Sequence, residues 1–294
     1  MKPAMARERV TRPRVVVEPE TVVSGGVRLA AYSFGGSGSP LMLVHATGFH
    51  AHVWLPWLAS LRERFTVFAF DLRGHGESET PVLPDAYHYR RMGEDVLAVA
   101  DHFSLGRFAA LGHSVGGALI VWAELTRPGT VTRAVLFEPI ILPPDQKEET
   151  AAAQAARTRR TVFASTTEML HRWSRRGPFA TFDPDALRAY VENGVRDCDD
   201  GAVELKCSRE AEVATFLQDT ESGLWGELER YRTPTLILAG ERSTSRVLAV
   251  IPAQAGLMPN ARAEIRPDLS HFLPFEQPHD MAARAIDFLA TPLA

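Results

Sequence analysis

The stretch from residue 107 to residue 129 places the tightest limit on what this chain can fold into. It reads as a short apolar strand, then Gly-His-Ser-Val-Gly at 112–116, then a helix. A turn this sharp forces Ser114 into a strained backbone conformation, so the residues two before and two after it must lack bulk. Gly112 and Gly116 meet that demand. The segment predicts a serine presented between the end of a strand and the start of a helix.

Apolar strands and helices alternate along most of the chain. Strands are predicted near residues 28–34, 41–45, 65–70, 108–113, 133–138, 234–239 and 262–266, and helices near 92–103, 116–126 and 279–290. Such alternation indicates a mostly parallel sheet covered on both faces, with ligands at the carboxyl ends of the strands. The predicted fold class is therefore α/β. A loose extension at residues 1–20 and a hairpin around residues 24–26 are expected before it.

Two further strands run into turns with a recognisable pattern. The strand at 41–45 leads into His-Ala-Thr-Gly at 45–48, and the strand at 65–70 leads into Asp-Leu-Arg-Gly-His-Gly-Glu-Ser at 71–78. With the turn around Ser114, a nucleophile elbow, they resemble the α/β-hydrolase superfamily. The resemblance implies a serine hydrolase with an eight-stranded-type, mostly parallel, doubly covered sheet and a helical cap insertion.

Two backbone amides are candidate donors to an oxyanion. Ser114 stands at the start of a helix, beside the unpaired amides of the first turn and the positive end of the macrodipole, so the Val115 amide is the first candidate. The resemblance implies that the loop after His45 supplies the second amide, which here is that of Thr47. This chain departs from the family by carrying Ala46 where glycine is usual.

The resemblance gives the turn at 71–78 a structural role. Asp71 and Arg73 are expected to pair across a tight turn whose glycines take positive φ. His75 is interpreted as a surface turn residue rather than as a catalytic base.

The candidate base follows the last predicted strand. Residues 268–278 resemble the family's Gly-His-x-x-x-x-Glu-x-Pro segment, and this implies that His271 is the base. A metal site at His45, His50 and His52 is disfavoured, because no carboxylate or thiolate of suitable spacing joins these histidines. Neither a metal nor a cofactor is expected.

The usual position of the catalytic acid holds no aspartate. Most family members carry Gly-x-x-Asp after the strand at 234–239, and this chain reads Gly-Glu-Arg-Ser at 240–243. The imidazole needs an anionic partner, since a neutral one costs on the order of 10⁴ in kcat in serine proteases. Glu138 ends the strand next to the nucleophile strand, on the side of the base, and a few family members place their acid there. Glu138 is preferred over Glu241, and the absence of a functional acid is a third alternative.

The long segment between Glu138 and the strand at 234 exceeds a βαβ crossover and predicts a cap at residues 142–230, inserted into a core of 21–141 and 231–294. Its predicted helical pieces are 148–165, 167–174, 185–195 and 208–220. A hairpin-like alternation marks 200–207.

The predicted cap is rich in arginines and in large apolar side chains. The arginines could attract an anionic substrate, although a solvated helix face is the favoured interpretation. They are Arg157, Arg159, Arg160, Arg172, Arg175 and Arg176. The apolar residues are expected to line a pocket or to attach the cap to the core. They are Phe163, Met169, Leu170, Trp173, Phe179, Phe182 and Trp225.

Composition removes several classes of partner. A formal net charge of −4 and a pI near 6.2 favour neither nucleic acid nor an anionic membrane. Cys198 and Cys207 are too few for a disulfide framework, and the first 20 residues contain no long apolar stretch. We therefore expect a cytoplasmic protein with reduced thiols and a small-molecule substrate. The oligomeric state stays open.

These observations predict a cofactor-free serine hydrolase that cleaves a carboxylic ester through an acyl-enzyme. Ser114 attacks, His271 transfers the proton, Glu138 orients His271, and the Val115 and Thr47 amides hold the oxyanion. Lactone hydrolysis by the same triad and carbon–carbon bond hydrolysis of a diketone are alternatives within catalysis. A ligand receptor of the same fold is the alternative from another class. Epoxide hydrolases and haloalkane dehalogenases need a carboxylate nucleophile, which the serine argues against.

Overall fold

The computed structural model describes residues 17–82, 84–145, 151–218 and 222–291. In chain order its strands are β1 (Glu20–Ser24), β2 (Val27–Gly36), β3 (Ser39–Val44), β4 (Phe65–Phe70), β5 (Phe108–His113), β6 (Val131–Phe137), β7 (Val162–Phe163), β8 (Val195–Asp197), β9 (Val203–Leu205), β10 (Thr235–Gly240) and β11 (Ala261–Arg266). Most of the predicted extension lies in residues 1–16, outside the described residues.

The helices follow in the same order. They are α1 (Leu58–Leu61), α2 (Tyr89–His102), α3 (Val115–Thr126), α4 (Ala151–Thr158), α5 (Thr166–Trp173), α6 (Pro184–Asn193), α7 (Arg209–Phe216), α8 (Ser245–Leu257), α9 (Leu273–Glu276) and α10 (Pro278–Leu289). Short 3₁₀ helices cover Ala51–Trp57, Pro84–Tyr87, Pro178–Thr181 and Leu224–Arg230. No helix in the described ranges has the length and apolarity needed to cross a membrane.

Eight strands form one sheet in the order β1-β2-β4-β3-β5-β6-β10-β11. The β1/β2 and β2/β4 pairs are antiparallel, and every other pair is parallel. The predicted α/β class, with its mostly parallel eight-stranded sheet, is confirmed. The order places β6 between β5 and β10, so the loops after these three strands meet at one edge of the sheet.

Side chains of the central strands alternate between two apolar cores, one on each face. In β3, Leu41 and Leu43 join the core beneath α10, whereas Met42 and Val44 join the core beneath α2 and α3. A period of two with both sets buried is typical of a sheet covered on both faces. Helix α8 was not predicted, and its interior contains Pro252, a residue that usually ends a helical pattern.

The segment between β6 and β10, here called the insertion, contains α4 to α7 and a small sheet in the order β7-β9-β8. Strands β8 and β9 pair antiparallel, so a hairpin is present, but it begins before the predicted stretch 200–207, which contains only β9. Parts of two predicted helical pieces, at 148–150 and 219–220, lie outside the described residues. The predicted helix at 148–165 was wrong in its last part, because α4 ends at Thr158 and β7 follows. Helix α6 packs against the 3₁₀ helix at Ala51–Trp57 and so attaches the insertion beside the loop after β3.

Candidate active site

Ser114 stands in the strained turn between β5 and α3. Its backbone has φ 57° and ψ −121°, a combination that a side chain rarely adopts. The turn is held because the Ser114 amide donates to Phe137 O at 2.8 Å and the Ser114 carbonyl accepts from Ile140 N at 3.2 Å. Four non-glycine residues of the described ranges have positive φ, and they are Ser104, Ser114, Glu138 and Asp268. Two of the four are candidate triad members.

Gly116 lets the N-terminus of α3 lie directly against the end of β3. A Cβ at this position would be 2.4 Å from Val44 O and 2.7 Å from His45 O, distances that no side chain tolerates. The close approach brings the first turn of α3 beside the loop that carries Thr47. It explains physically why this position of the turn has to be glycine.

Both candidate oxyanion amides lack an acceptor in the described parts of the chain. Val115 is the first residue of α3, where an amide has no partner within its own helix. The Thr47 amide makes no hydrogen bond among those found there in turns and loops. Thr47 itself is buried. A substrate oxygen placed between the two loops would meet two free donors.

His75 is fully buried, so its interpretation as a surface turn residue was wrong. Its Nε2 accepts from the Gly48 amide at 2.9 Å, and its Nδ1 donates to Arg73 O at 3.0 Å. Burial lowers the pKa of His75 to about 4, so the ring is neutral at pH 7. The turn at 71–78 therefore supports the loop after β3 through His75.

The turn at 71–78 is a scaffold, but its predicted internal ion pair was wrong. Arg73 forms a buried two-point ion pair with Asp95 of α2, at 2.8 and 2.5 Å. Asp71 accepts from the Ala51 amide at 2.6 Å and from the Tyr32 hydroxyl at 2.9 Å. The sequence pattern correctly indicated that Asp71 and Arg73 have structural roles. It did not reveal that their partners come from other elements.

The Glu138 carboxylate lies against His271. Glu138 Oε2 is 2.5 Å from His271 Nδ1, and the glutamate is completely buried. Its Oε1 accepts from the Gly240 amide at 2.7 Å, and its Oε2 also accepts from the Ser243 hydroxyl at 2.5 Å. A carboxylate held by three donors away from water is a strong anionic partner for an imidazole.

This contact fixes the tautomer of His271. An ionised carboxylate only accepts hydrogen bonds, so Nδ1 carries the proton and Nε2 is left to accept one. The loop that carries His271 is also held by β5, because His113 Nε2 donates to His271 O at 2.9 Å. Among the described residues no hydrogen bond joins Ser114 Oγ to His271. Such contacts often tighten only with substrate present.

Glu241, the alternative acid, points elsewhere. Its side chain is exposed, and Oε2 accepts from the Asp268 amide at 3.3 Å. Sequence reasoning missed the role of Ser243, which occupies the family's aspartate position and donates to Glu138. The signal was present, because a hydroxyl at this position is suited to hold an acid arriving from the neighbouring strand.

The histidines near the loop after β3 have structural partners. His45 Nδ1 donates to Ala46 O at 2.8 Å and its Nε2 accepts from Leu72 N at 2.9 Å, while His50 Nε2 donates to Tyr190 O at 3.0 Å. Within the described ranges no group of three or more histidine, cysteine or acidic side chains is placed to hold a metal ion.

Aromatic rings from the core and the insertion stand next to His271. This aromatic wall consists of Phe49, Trp173, Phe179, Phe182, Tyr190, Phe272 and Phe275. The Phe272 ring lies 5.5 Å from the His271 ring and 5.5 Å from Phe182. Phe179 and Trp173 are half-buried, so the wall extends from the candidate base toward the surface of the insertion.

The arginines of the insertion mostly face solvent. Five are exposed, and they are Arg157, Arg160, Arg172, Arg175 and Arg176. Arg159 is different, because it is half-buried and forms an ion pair with Glu212 of α7. Across the residues the structure describes, no arginine or lysine lies over a ring face of the aromatic wall. The favoured interpretation of a solvated face fits all but Arg159.

Residues 41–284 match the model of the alpha/beta hydrolase family. The chain belongs to this family. Among curated relatives of this hydrolase, a 2-(acetamidomethylene)succinate hydrolase of Mesorhizobium japonicum is 26% identical over 242 residues, 81% of this chain and 83% of the relative. A 3-oxoadipate enol-lactonase of Acinetobacter baylyi is 26% identical over 232 residues, 78% of this chain and 81% of the relative.

A solved structure of an E-2-(acetamidomethylene)succinate hydrolase superposes with a TM-score of 0.79 at 24% identity and covers 94% of this hydrolase and 100% of that chain. At this identity the match shows the fold alone. The predicted resemblance to the superfamily is confirmed.

Proposed function

We propose that this hydrolase is a cofactor-free serine esterase that cleaves an uncharged carboxylic ester through an acyl-enzyme. The observation that carries the proposal is the buried Glu138 carboxylate, 2.5 Å from His271 Nδ1, beside the strained serine turn. Acyl transfer by a serine needs a nucleophile in a strained turn, an oriented imidazole and a buried carboxylate, and the site combines all three types of group.

Each step follows from the roles of these groups. Ser114 Oγ attacks the carbonyl while His271 Nε2 takes the hydroxyl proton. Glu138 stabilises the imidazolium that forms. The Val115 and Thr47 amides donate to the oxyanion of the tetrahedral intermediate. His271 then gives the proton to the departing alcohol. Water, activated by the same imidazole, releases the acid and regenerates Ser114.

The surroundings of the proposed site favour an apolar acyl group. The aromatic wall supplies ring faces next to His271, and two partly buried cations near it form ion pairs. Arg159 pairs with Glu212, and Lys206 Nζ lies 2.5 Å from Glu77 Oε1. The first of the two curated relatives is named for a succinate derivative. The exposed arginines Arg172, Arg175 and Arg176 face solvent. A free carboxylate on the substrate would therefore meet only cations that are already paired in the partly buried surroundings of the wall, and we propose an uncharged ester.

Lactone hydrolysis is the second candidate. It is favoured by the enol-lactonase relative, which matches 78% of this chain, and it needs the same attack, oxyanion and proton transfers. Carbon–carbon bond hydrolysis would need a carbanion leaving group, and no contact described here favours it over ester cleavage.

A matched substrate panel tests the proposal. p-Nitrophenyl acetate, butyrate, octanoate and benzoate are compared with p-nitrophenyl hemisuccinate, whose terminal carboxylate adds a charge, and with γ- and δ-lactones followed by pH release. We expect a burst of nitrophenol followed by turnover, with kcat/KM for neutral esters at least about tenfold above that for hemisuccinate, a difference of about 1.4 kcal/mol.

Three results would contradict the proposal. Faster opening of lactones than of every ester would favour the lactonase. A preference for hemisuccinate would remove the uncharged-substrate argument. Labelling of Ser114 by a fluorophosphonate without turnover of any substrate would favour the receptor.

A further inference from the structure

We propose that the insertion completes the oxyanion hole, with Tyr190 acting as a positioning residue for the Thr47 amide and the Arg159–Glu212 ion pair holding Tyr190 in place. This inference rests on the proposed function, because it assigns a task to parts of the insertion that the catalytic steps do not use. It concerns the oxyanion loop, defined as residues 45–49.

The peptide unit that carries the Thr47 amide is fixed through its carbonyl. A peptide is planar, so the Ala46 carbonyl and the Thr47 amide point in opposite directions. Ala46 O accepts from His45 Nδ1 at 2.8 Å and from the Phe49 amide at 3.1 Å. Whatever orients the Phe49 amide therefore also orients the Thr47 amide.

The Phe49 amide shares its own peptide unit with the Gly48 carbonyl. That carbonyl accepts from the Tyr190 hydroxyl of α6 at 3.0 Å. One hydrogen bond from the insertion thus sets the plane of the 48–49 peptide, which in turn sets the plane of the 46–47 peptide. The hydroxyl of Tyr190 acts on the oxyanion donor through two peptide units.

Gly48 is enclosed on its remaining sides. Its amide donates to His75 Nε2 at 2.9 Å, and its backbone has φ +81°, in the left-handed region. A Cβ at this position would be 2.7 Å from Glu212 Oε1, so the carboxylate of α7 lies directly on its Cα. Core and insertion therefore both contact Gly48.

Tyr190 is held in turn by a partly buried network within the insertion. Its hydroxyl contacts the Arg159 guanidinium, and Arg159 pairs with Glu212 and donates from Nη2 to Cys207 O at 2.8 Å. A carbonyl oxygen only accepts, so the Tyr190 hydroxyl gives its proton to Gly48 O, and the Arg159 guanidinium lies on the side of the phenol oxygen's lone pairs. Burial raises the pKa of Tyr190, which keeps that proton in place.

The expected kinetic signature follows from where the oxyanion exists. It forms in the transition state and not in bound substrate, so a misoriented donor lowers kcat and leaves KM unchanged. Losing a whole oxyanion donor costs about 10² to 10³ in kcat. Tyr190→Phe removes only one supporting hydroxyl, so we expect a loss of about tenfold.

The experiment compares Tyr190→Phe with Tyr87→Phe. Tyr87 is also buried and donates to a backbone carbonyl, Pro81 O at 3.2 Å, away from the oxyanion loop. For each protein we measure kcat and KM for a p-nitrophenyl ester, Ki for a matching trifluoromethyl ketone, and Kd for the corresponding alcohol. The ketone forms an oxyanion on Ser114, whereas the alcohol binds without forming one.

For Tyr190→Phe we expect kcat to fall and the ketone Ki to rise by about the same factor of ten, with KM and the alcohol Kd within about twofold. Tyr87→Phe should match the unmodified protein in all four. A rise in KM and alcohol Kd with unchanged ketone Ki would overturn the inference, and so would four unchanged values. Failure of the proposed function would instead appear as an unmodified protein that gives no burst.

Discussion

The acid side and the oxyanion side of the site draw their support from different parts of the chain. The acid side is Glu138 with its donors at Gly240, Ser243 and His271, all of which belong to the sheet and the loops that follow its strands. The oxyanion side is the loop at 45–49, which is held by His75 of the core and by Tyr190 of the insertion.

The two sides would meet different requirements of the proposed reaction, which are an oriented base and an oriented oxyanion donor. The acid side is assembled as soon as β6, β10 and the loop after β11 are in place, because every group that holds Glu138 comes from the sheet. The oxyanion side also needs the insertion in contact with the loop, through the hydrogen bond from Tyr190 to Gly48 O. In the proposed mechanism, proton transfer therefore relies on the core alone, whereas stabilisation of the transition state depends on contacts that the insertion supplies.

The largest effect is expected from Ser114→Ala, which removes the group that both sides serve. We expect kcat to fall about 10⁴-fold or more, since the nucleophile is lost, while the fold is retained. Burst kinetics and thermal unfolding measure the two outcomes. Retention of a tenth of the activity would exclude the mechanism on both sides at once.

Acid should destabilise the fold through the buried histidines around the oxyanion loop. Burial lowers the pKa of His50 to about 3 and that of His75 to about 4, and it lowers the pKa of His45 well below its usual value of 6.5. The unfolded chain gains these protons below pH 6.5 and the folded chain does not, so stability is full above pH 6.5 and falls as the pH drops toward 4. Asp71 opposes this, because burial raises its pKa to about 6.

Between its unfolded and folded pKa values, each histidine lowers the free energy of unfolding by about 1.4 kcal/mol per pH unit. We therefore expect the free energy of unfolding to fall by several kcal/mol between about pH 7.5 and pH 5. Urea unfolding at the two pH values measures it. His75→Gln keeps an acceptor for the Gly48 amide and should shrink the loss. His279→Gln, at an exposed position, should not change it. Equal stability at both pH values would refute the assignment of neutral histidines.

The smallest effect is expected from Ser243→Ala on the acid side. The hydroxyl is one of three donors to Glu138, and a hydrogen bond to a charged group is worth about 1.5–3 kcal/mol. The Gly240 amide and His271 remain, so we expect kcat to fall by about tenfold with KM unchanged. Steady-state kinetics measure this effect, and an unaltered kcat would mean that the acid needs no support from the Ser243 hydroxyl.

Much of the acid side could be predicted from the sequence, because its parts follow local rules. Strand alternation orders the sheet, the turn around Ser114 needs small neighbours, and a glutamate at a strand end is visible in the chain. The oxyanion side was less accessible. Tyr190 contacts Gly48 across 142 positions, and His75 was assigned to the surface because its acceptor role depends on a distant amide.

The central claim is that the acid lies at the end of β6 and not after β10. The most direct measurement is kcat for Glu138→Gln beside Glu241→Gln, two substitutions that each replace one carboxylate by an amide of the same shape. The account predicts a fall of about 10² or more for Glu138→Gln and a change within a factor of a few for Glu241→Gln, because only Glu138 contacts His271 Nδ1. A loss confined to Glu241→Gln, with Glu138→Gln near normal, would contradict it.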